Sequence, residues 1–185
     1  LRVSFTGDLG WELYCDAADQ VALYTALISA ATAQKGGPVG SRALGSLRVE
    51  KGYGSWGREY GPEYWPQESG LVRLIKGDKE FLNKAAWLAI KDNPPRDLMV
   101  CLTIDAEEAD ATGGEPIFLA DGTPIGQIST GAYGYSVGAS LALGYVKAAY
   151  AVGDTEVTVS VLGRPHKARI LPAPAFDPKG ERLRA

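Results

Sequence analysis

Glu12 stands between Trp11 and Leu13 in the stretch "SFTGDLGWELY", Ser4 to Tyr14. A carboxylate among apolar neighbours in an extended segment is costly unless something solvates or binds it. Either it lies on a wet face, or it has a partner. A second stretch with chemical potential is "WGREYGPEYW", Trp56 to Trp65, a loop dense in aromatic residues. Taken singly, these are an edge acid facing solvent and an aromatic loop covering a core. Together they suit a flat, polar-edged heterocycle. A carboxylate accepts two parallel N–H bonds from such an edge, while rings stack on its faces. Arg48 and Glu50 are expected to share one face of an extended segment and to form an ion pair.

Other chemistries are poorly supplied. His166 is the only histidine and falls in the polar stretch "GRPHKARI", so it reads as a surface residue. One histidine leaves little room for a zinc site or for Ser-His nucleophilic catalysis. Cys15 and Cys101 stand far apart, outside any CxxC pair, and read as two free thiols. There is no Walker motif and no GxGxxG between a strand and a helix. "GGPVG" follows a helical stretch rather than opening one, so it reads as a loop.

The elements that must position these residues change character along the chain. Leu1–Ser4 and Trp11–Cys15 read as two strands joined by a turn at Thr6-Gly7-Asp8. Asp16 is placed to cap a following helix, in which Val21, Tyr24, Leu27, Ile28 and Ala31 fall on one buried stripe. Gly36–Gly40 ends that helix. "SRALGSLRVEKG" reads as a short helix passing into an extended segment. The Gly- and aromatic-rich loop follows, then a helix over Lys79–Asp92. "DNPPRD", Asp92 to Asp97, is the expected linker, because two prolines stop the helix there. Beyond it the hydrophobic period becomes two. "LMVCLTI", "EPIFL", "PIGQIST", "LALGYV", "TEVTVSVLG" and "HKARILP" read as short strands of a small antiparallel barrel or sandwich, with a hairpin at "ADGT". The fold class expected is therefore α+β: the rear part of an α+β domain over residues 1–93, then an all-β domain over 97–185.

Composition is consistent with a packed protein. The 185 residues are 45% hydrophobic and 22% charged, enough to build a core. A net charge of −3 argues against a general nucleic-acid or anionic-membrane binder, and no apolar run reaches membrane-spanning length. A cytoplasmic location is expected. Leu1 stands where Met would initiate, and a strand pattern starts at once, which leads to the expectation that this is a piece of a longer chain.

As an ordered set, "SFTGDLGWELY", "SLRVEKGYGSWGREY", "PQESGL", "GDKEFLNKAA", "GQISTGAYGYSVGASLALGYV" and "PAFDPKGERLR" resemble the folate-binding aminomethyltransferase family. That family includes the glycine cleavage T-protein and the C-terminal halves of dimethylglycine and sarcosine dehydrogenases. The "LRxEKG…WG" stretch, with Trp56 and Gly57, is more similar to the dehydrogenase-linked members. The resemblance implies a folate-binding α+β domain, a C-terminal β-barrel domain, tetrahydrofolate as cofactor, and one-carbon transfer from a methylamine-type donor. The alternatives are the folate-binding module of a dimethylglycine or sarcosine dehydrogenase or of a demethylase, or a folate-binding scaffold without the chemistry. The acid of the family's "TGxxGxE" pattern falls on Glu12, which would bind the pterin ring. The family's first acid of "TGE" is Asp8 here. Leu44 occupies the place of the family's folate-contacting arginine, with Arg42 two residues earlier. The folate-binding set implied by the resemblance is Glu12, Arg42, Trp56, Tyr60 and Arg182. The family's catalytic aspartate precedes "TGxxGxE", so it is expected upstream of Leu1. Implied partners are the small-molecule folate and donor, with an upstream flavin domain or a lipoyl carrier protein.

Overall fold

The computed structural model describes residues 1–185. Its elements are three helices, α1 (Gln20–Ala33), α2 (Ser41–Glu50) and α3 (Lys84–Ile90), followed by six strands. The strands are β1 (Asp97–Ile104), β2 (Pro116–Phe118), β3 (Pro124–Gly134), β4 (Ala139–Lys147), β5 (Glu156–Val161) and β6 (Arg164–Ile170). All pairings are antiparallel, and the sheet closes as β1-β4-β3-β2-β5-β6. The fold is α+β with a closed antiparallel barrel, and each of the six strand-like stretches becomes a strand.

Alternation explains the barrel. Leu102, Ile117, Ile128, Val146, Val159 and Ile170 point inward and are essentially inaccessible. Burying each such side chain is worth about 1.5–3 kcal/mol. β4 departs from alternation, because "LALGYV" is apolar at nearly every position. The structure shows why: Ala142 and Val146 face the barrel interior, while Leu141 and Leu143 face outward under Val49 of α2. A strand buried on both faces needs no polar face.

The N-terminal half differs from expectation in five places. Residues 1–15 form no strand ladder. One pair of backbone bonds links Leu1 and Glu12, and Gly7 bends the chain with φ of 85°. No third strand pairs with this hairpin, and an isolated hairpin is marginal. Asp16 caps only a 3₁₀ turn at Ala17–Asp19, without a side-chain bond, before α1 begins. The predicted stripe of α1 is not buried: Val21 is 75%, Tyr24 58% and Leu27 46% exposed, because no element of these 185 residues packs on it. "SRALGSLRVE" is one continuous helix, so Arg48 and Glu50 lie on different sides and do not pair. The helix expected over Lys79–Asp92 shortens to α3, since Asn83 adopts a left-handed φ of 64° at its start.

The linker stretch ends directly in β1, and the preceding loop is bound to it. The backbone N–H of Met99 donates to the Glu68 carbonyl oxygen at 2.9 Å. No helix is long and apolar enough to cross a membrane.

Candidate functional site: a cleft floored by a buried ion pair

α2 buries Ser46, Arg48, Val49 and Glu50, with Arg48 reaching Thr130 of β3 and the Glu50 carboxylate accepting the Ser136 N–H. A guanidinium placed there needs an acid, and the loop after α2 supplies it. A tight turn runs Ser55–Tyr60, with the N–H groups of Arg58 and Tyr60 donating to the Ser55 carbonyl and Gly57 at φ 77°. This turn drives Glu59 inward, where it is fully buried. Arg48 Nη1 lies 3.2 Å from Glu59 Oε2, and Arg48 Nη2 donates to Thr130 Oγ1 at 2.9 Å. The Ser55 N–H donates to the same carboxylate at 2.8 Å.

The barrel completes the network through a bulge. The β3–β4 register shifts between Ile128 and Thr130. Neighbouring residues of a regular strand point to opposite faces, but across the bulge Ser129 and Thr130 both reach Glu59 Oε1, at 2.6 and 2.7 Å. Burial alone would raise the Glu59 pKa. The bonds from Ser129, Thr130 and Ser55, with the Arg48 charge, outweigh it and hold the carboxyl below its ordinary value.

Two further contacts fasten the loop. Tyr64 stacks face to face on Tyr145, with ring centroids 3.4 Å apart, and the Tyr145 hydroxyl donates to the Glu59 carbonyl at 2.8 Å. Burial raises the Tyr145 pKa, so it stays a donor. At the loop's far end Glu68 accepts bonds from Arg96 Nε and Nη2, from the Arg96 N–H and from the Trp65 N–H, all at 2.8–2.9 Å. The bonds from Arg96 hold its carboxyl at about 2.

Above the Arg48–Glu59 pair lies an open cleft of about 740 Å³, in the size range of small-molecule sites. Its walls come from Phe5 of the N-terminal turn, the first half of α2, Ser55 and Arg58 of the loop, and Thr130–Tyr135 of the barrel. Arg42 and Arg58 line it and have no carboxylate partner, whereas Arg48 is neutralised by Glu59. Asp110 also lines it and accepts from Ser140 Oγ at 2.6 Å.

Of the five residues drawn from the resemblance, Arg42 alone lines this cleft. Glu12 is exposed and accepts the Tyr14 hydroxyl at 2.7 Å, a bond that raises the Tyr14 pKa. Trp56 is 84% exposed and meets Tyr60 edge to face at 5.7 Å. The Tyr60 hydroxyl accepts the Gly54 N–H. Arg182 Nε donates to Asp8. The sequence reading missed Glu59, Ser129 and Thr130. The only signal was Arg48 itself, a cation between Leu47 and Val49 with no acid at helical spacing.

Two family models match the chain. The GCVT N-terminal domain covers residues 1–79, and the glycine cleavage T-protein C-terminal barrel domain covers residues 98–177. This chain belongs to the glycine cleavage T-protein, or aminomethyltransferase, family. The family includes relatives of two sizes. The chain is 36% identical to mitochondrial dimethylglycine dehydrogenase of Mus musculus over 94% of its own length and 20% of that protein. It is 32% identical to the aminomethyltransferase of Symbiobacterium thermophilum over 95% of its length and 47% of that protein. The crystal structure of the glycine cleavage system aminomethyltransferase T from Bartonella henselae superposes with a TM-score of 0.85 at 25% identity, covering 96% of this chain and 49% of that one. The chain thus spans about half the length of the aminomethyltransferases and one fifth of the dehydrogenase.

Proposed function

We propose that this chain is the tetrahydrofolate-holding part of an aminomethyltransferase-like protein that moves a one-carbon unit from a methylamine-type donor to tetrahydrofolate. One observation carries the reading: within this family's fold, the cleft joins aromatic residues to two arginines that have no carboxylate partner, over a fixed polar floor. Phe5 and Tyr133 offer faces for a flat ring, and Arg42 and Arg58 offer charge for a carboxylate. By the family resemblance the pterin edge would fall to Glu12, which lies outside the cleft lining, exposed, on the same N-terminal segment as Phe5, with Oε2 holding Tyr14. Trp56 and Tyr60 complete the proposed folate-binding set, to which Arg182 belongs through its bond to Asp8. Bound tetrahydrofolate would supply N5 and N10 as the nucleophilic nitrogens. The chain's own part is positioning: the Arg48–Glu59–Thr130 network fixes α2 and the loop against the barrel, so the walls keep their spacing.

The 36% identity to a dimethylglycine dehydrogenase favours a donor of that class, N-methylated and carboxylate-bearing, over an aminomethyl group on a carrier protein. A flavin domain preceding this part is the corresponding partner. Calorimetric titration of tetrahydrofolate into this chain tests the reading. Saturable one-to-one binding is expected, and no heat of binding at millimolar ligand overturns it.

A further inference from the structure

The N-terminal segment that carries Phe5 and Glu12 has few attachments of its own. Its internal bonds are local: Leu1 with Glu12, Gly7 N–H to Ser4 Oγ, Asp8 N–H to Thr6 Oγ1, and Tyr14 to Glu12. Two hydrogen bonds tie residues 1–15 to the rest of the molecule, and both come from the C-terminal tail. Arg182 Nε donates to the Asp8 carboxylate, and Arg2 Nη2 donates to the Leu183 carbonyl at 3.3 Å.

The tail is itself anchored at the end of α2. The Phe176 N–H donates to the Glu50 carbonyl at 3.0 Å. Lys51, whose side chain is 4% exposed, donates from Nζ to the Asp177 carboxylate at 2.6 Å and to its carbonyl. The Asp177 carboxylate then caps the next turn by accepting the N–H groups of Glu181 and Arg182. This turn aims Arg182 at Asp8. The Lys51 stem also supports the other side of the N-terminal turn: Gly7 is buried against it, and any Cβ at Gly7 would overlap Lys51 Cγ.

From this we infer that residues 176–184 are a tether, and that Lys51, Asp177 and Arg182 are positioning residues holding the N-terminal segment so that Phe5 stays at the cleft. The ligand side of this inference rests on the folate reading above. Arg182 then acts through Asp8.

Hydrogen exchange on this chain and its Asp177→Ala and Arg182→Ala variants tests the tether. The amides of Gly7, Asp8 and Glu12 should exchange about fivefold or more faster in both variants, while β4 amides keep wild-type protection in Arg182→Ala. Arg182→Lys, which keeps the charge, should recover most of the loss. Binding of 5-formyltetrahydrofolate, measured on the same samples, should weaken about fivefold or more in both alanine variants. The melting temperature stays unchanged in Arg182→Ala, whereas Asp177→Ala lowers it because Lys51 is left buried without its counter-charge. Unchanged exchange at Gly7 and Asp8 overturns the tether. So does faster exchange with wild-type affinity for the probe, because the tail would then position nothing the ligand uses. If wild type fails to bind the probe, the folate reading falls, and the exchange rates alone decide the tether.

Discussion

Replacing Glu59 by Gln removes one charge at the centre of the cleft floor and keeps the side chain's shape. Gln can place its carbonyl oxygen where Oε2 lies and keep the bonds from the Ser55 N–H and Arg48. Its amide nitrogen then meets Ser129 and Thr130, whose hydroxyls can rotate; Ser129 already has the Leu143 carbonyl as a second acceptor. What cannot be replaced is the counter-charge of Arg48, which is 5% exposed. Leaving a buried cation uncompensated costs about 3–5 kcal/mol, and the hydrogen bonds that survive put this case near the low end. Urea unfolding followed by circular dichroism should show the midpoint falling with little change in slope. In an Arg48→Met background the same substitution should cost about 1 kcal/mol, because the stranded charge is gone. A loss below about 0.5 kcal/mol in the wild-type background would refute the claim that this pair holds the loop and α2 against the barrel.

The remaining expectations concern the barrel and its junction. Gly131→Val should lower the melting temperature and cost about 1–3 kcal/mol, because a Cβ there overlaps the Ala111 carbonyl; an unchanged melting temperature removes that argument. Glu68 holds its carboxyl at about 2 against an ordinary 4.5, and Glu59 is also depressed, so the folded state binds protons less readily than the unfolded chain. Their contribution is complete above pH 4.5 and is lost as pH falls toward 2. Arg96→Gln, which removes the main cause at Glu68, should move the acid-unfolding midpoint to higher pH, as read by circular dichroism. Limited proteolysis should cut first near Asn93–Pro95, and the halves should co-elute on size exclusion, held by Arg48–Thr130 and Tyr64–Tyr145. Release of a free monomeric barrel would show that these contacts are weak.

The barrel was legible because its strands are short and alternating, and each lies next to its turn. Even β4, which breaks alternation, kept enough apolar length to be placed. The N-terminal half was harder to read for two physical reasons. Periodicity reports which face of a helix is apolar, not whether anything covers it, so the stripe of α1 read as buried although Val21 and Tyr24 are exposed. Charge spacing reports pairs within one element, so Arg48 was matched to Glu50. Its true partner, Glu59, is reached only by a turn and a strand bulge. Arg42, drawn from the family resemblance, is the one residue of that set that lines the cleft. The floor residues Ser129 and Thr130 carry no pattern that separates them from other polar strand residues.

Glu12 is the residue proposed to take the polar edge of the folate ring. Titrating tetrahydrofolate into wild type and Glu12→Gln, with melting curves on the same samples, tests it most directly. An amide turns one acceptor into a donor, so binding should weaken by about 2–4 kcal/mol while the melting temperature stays unchanged, because the exposed carboxylate holds only Tyr14. Equal affinity in the two proteins would contradict the account.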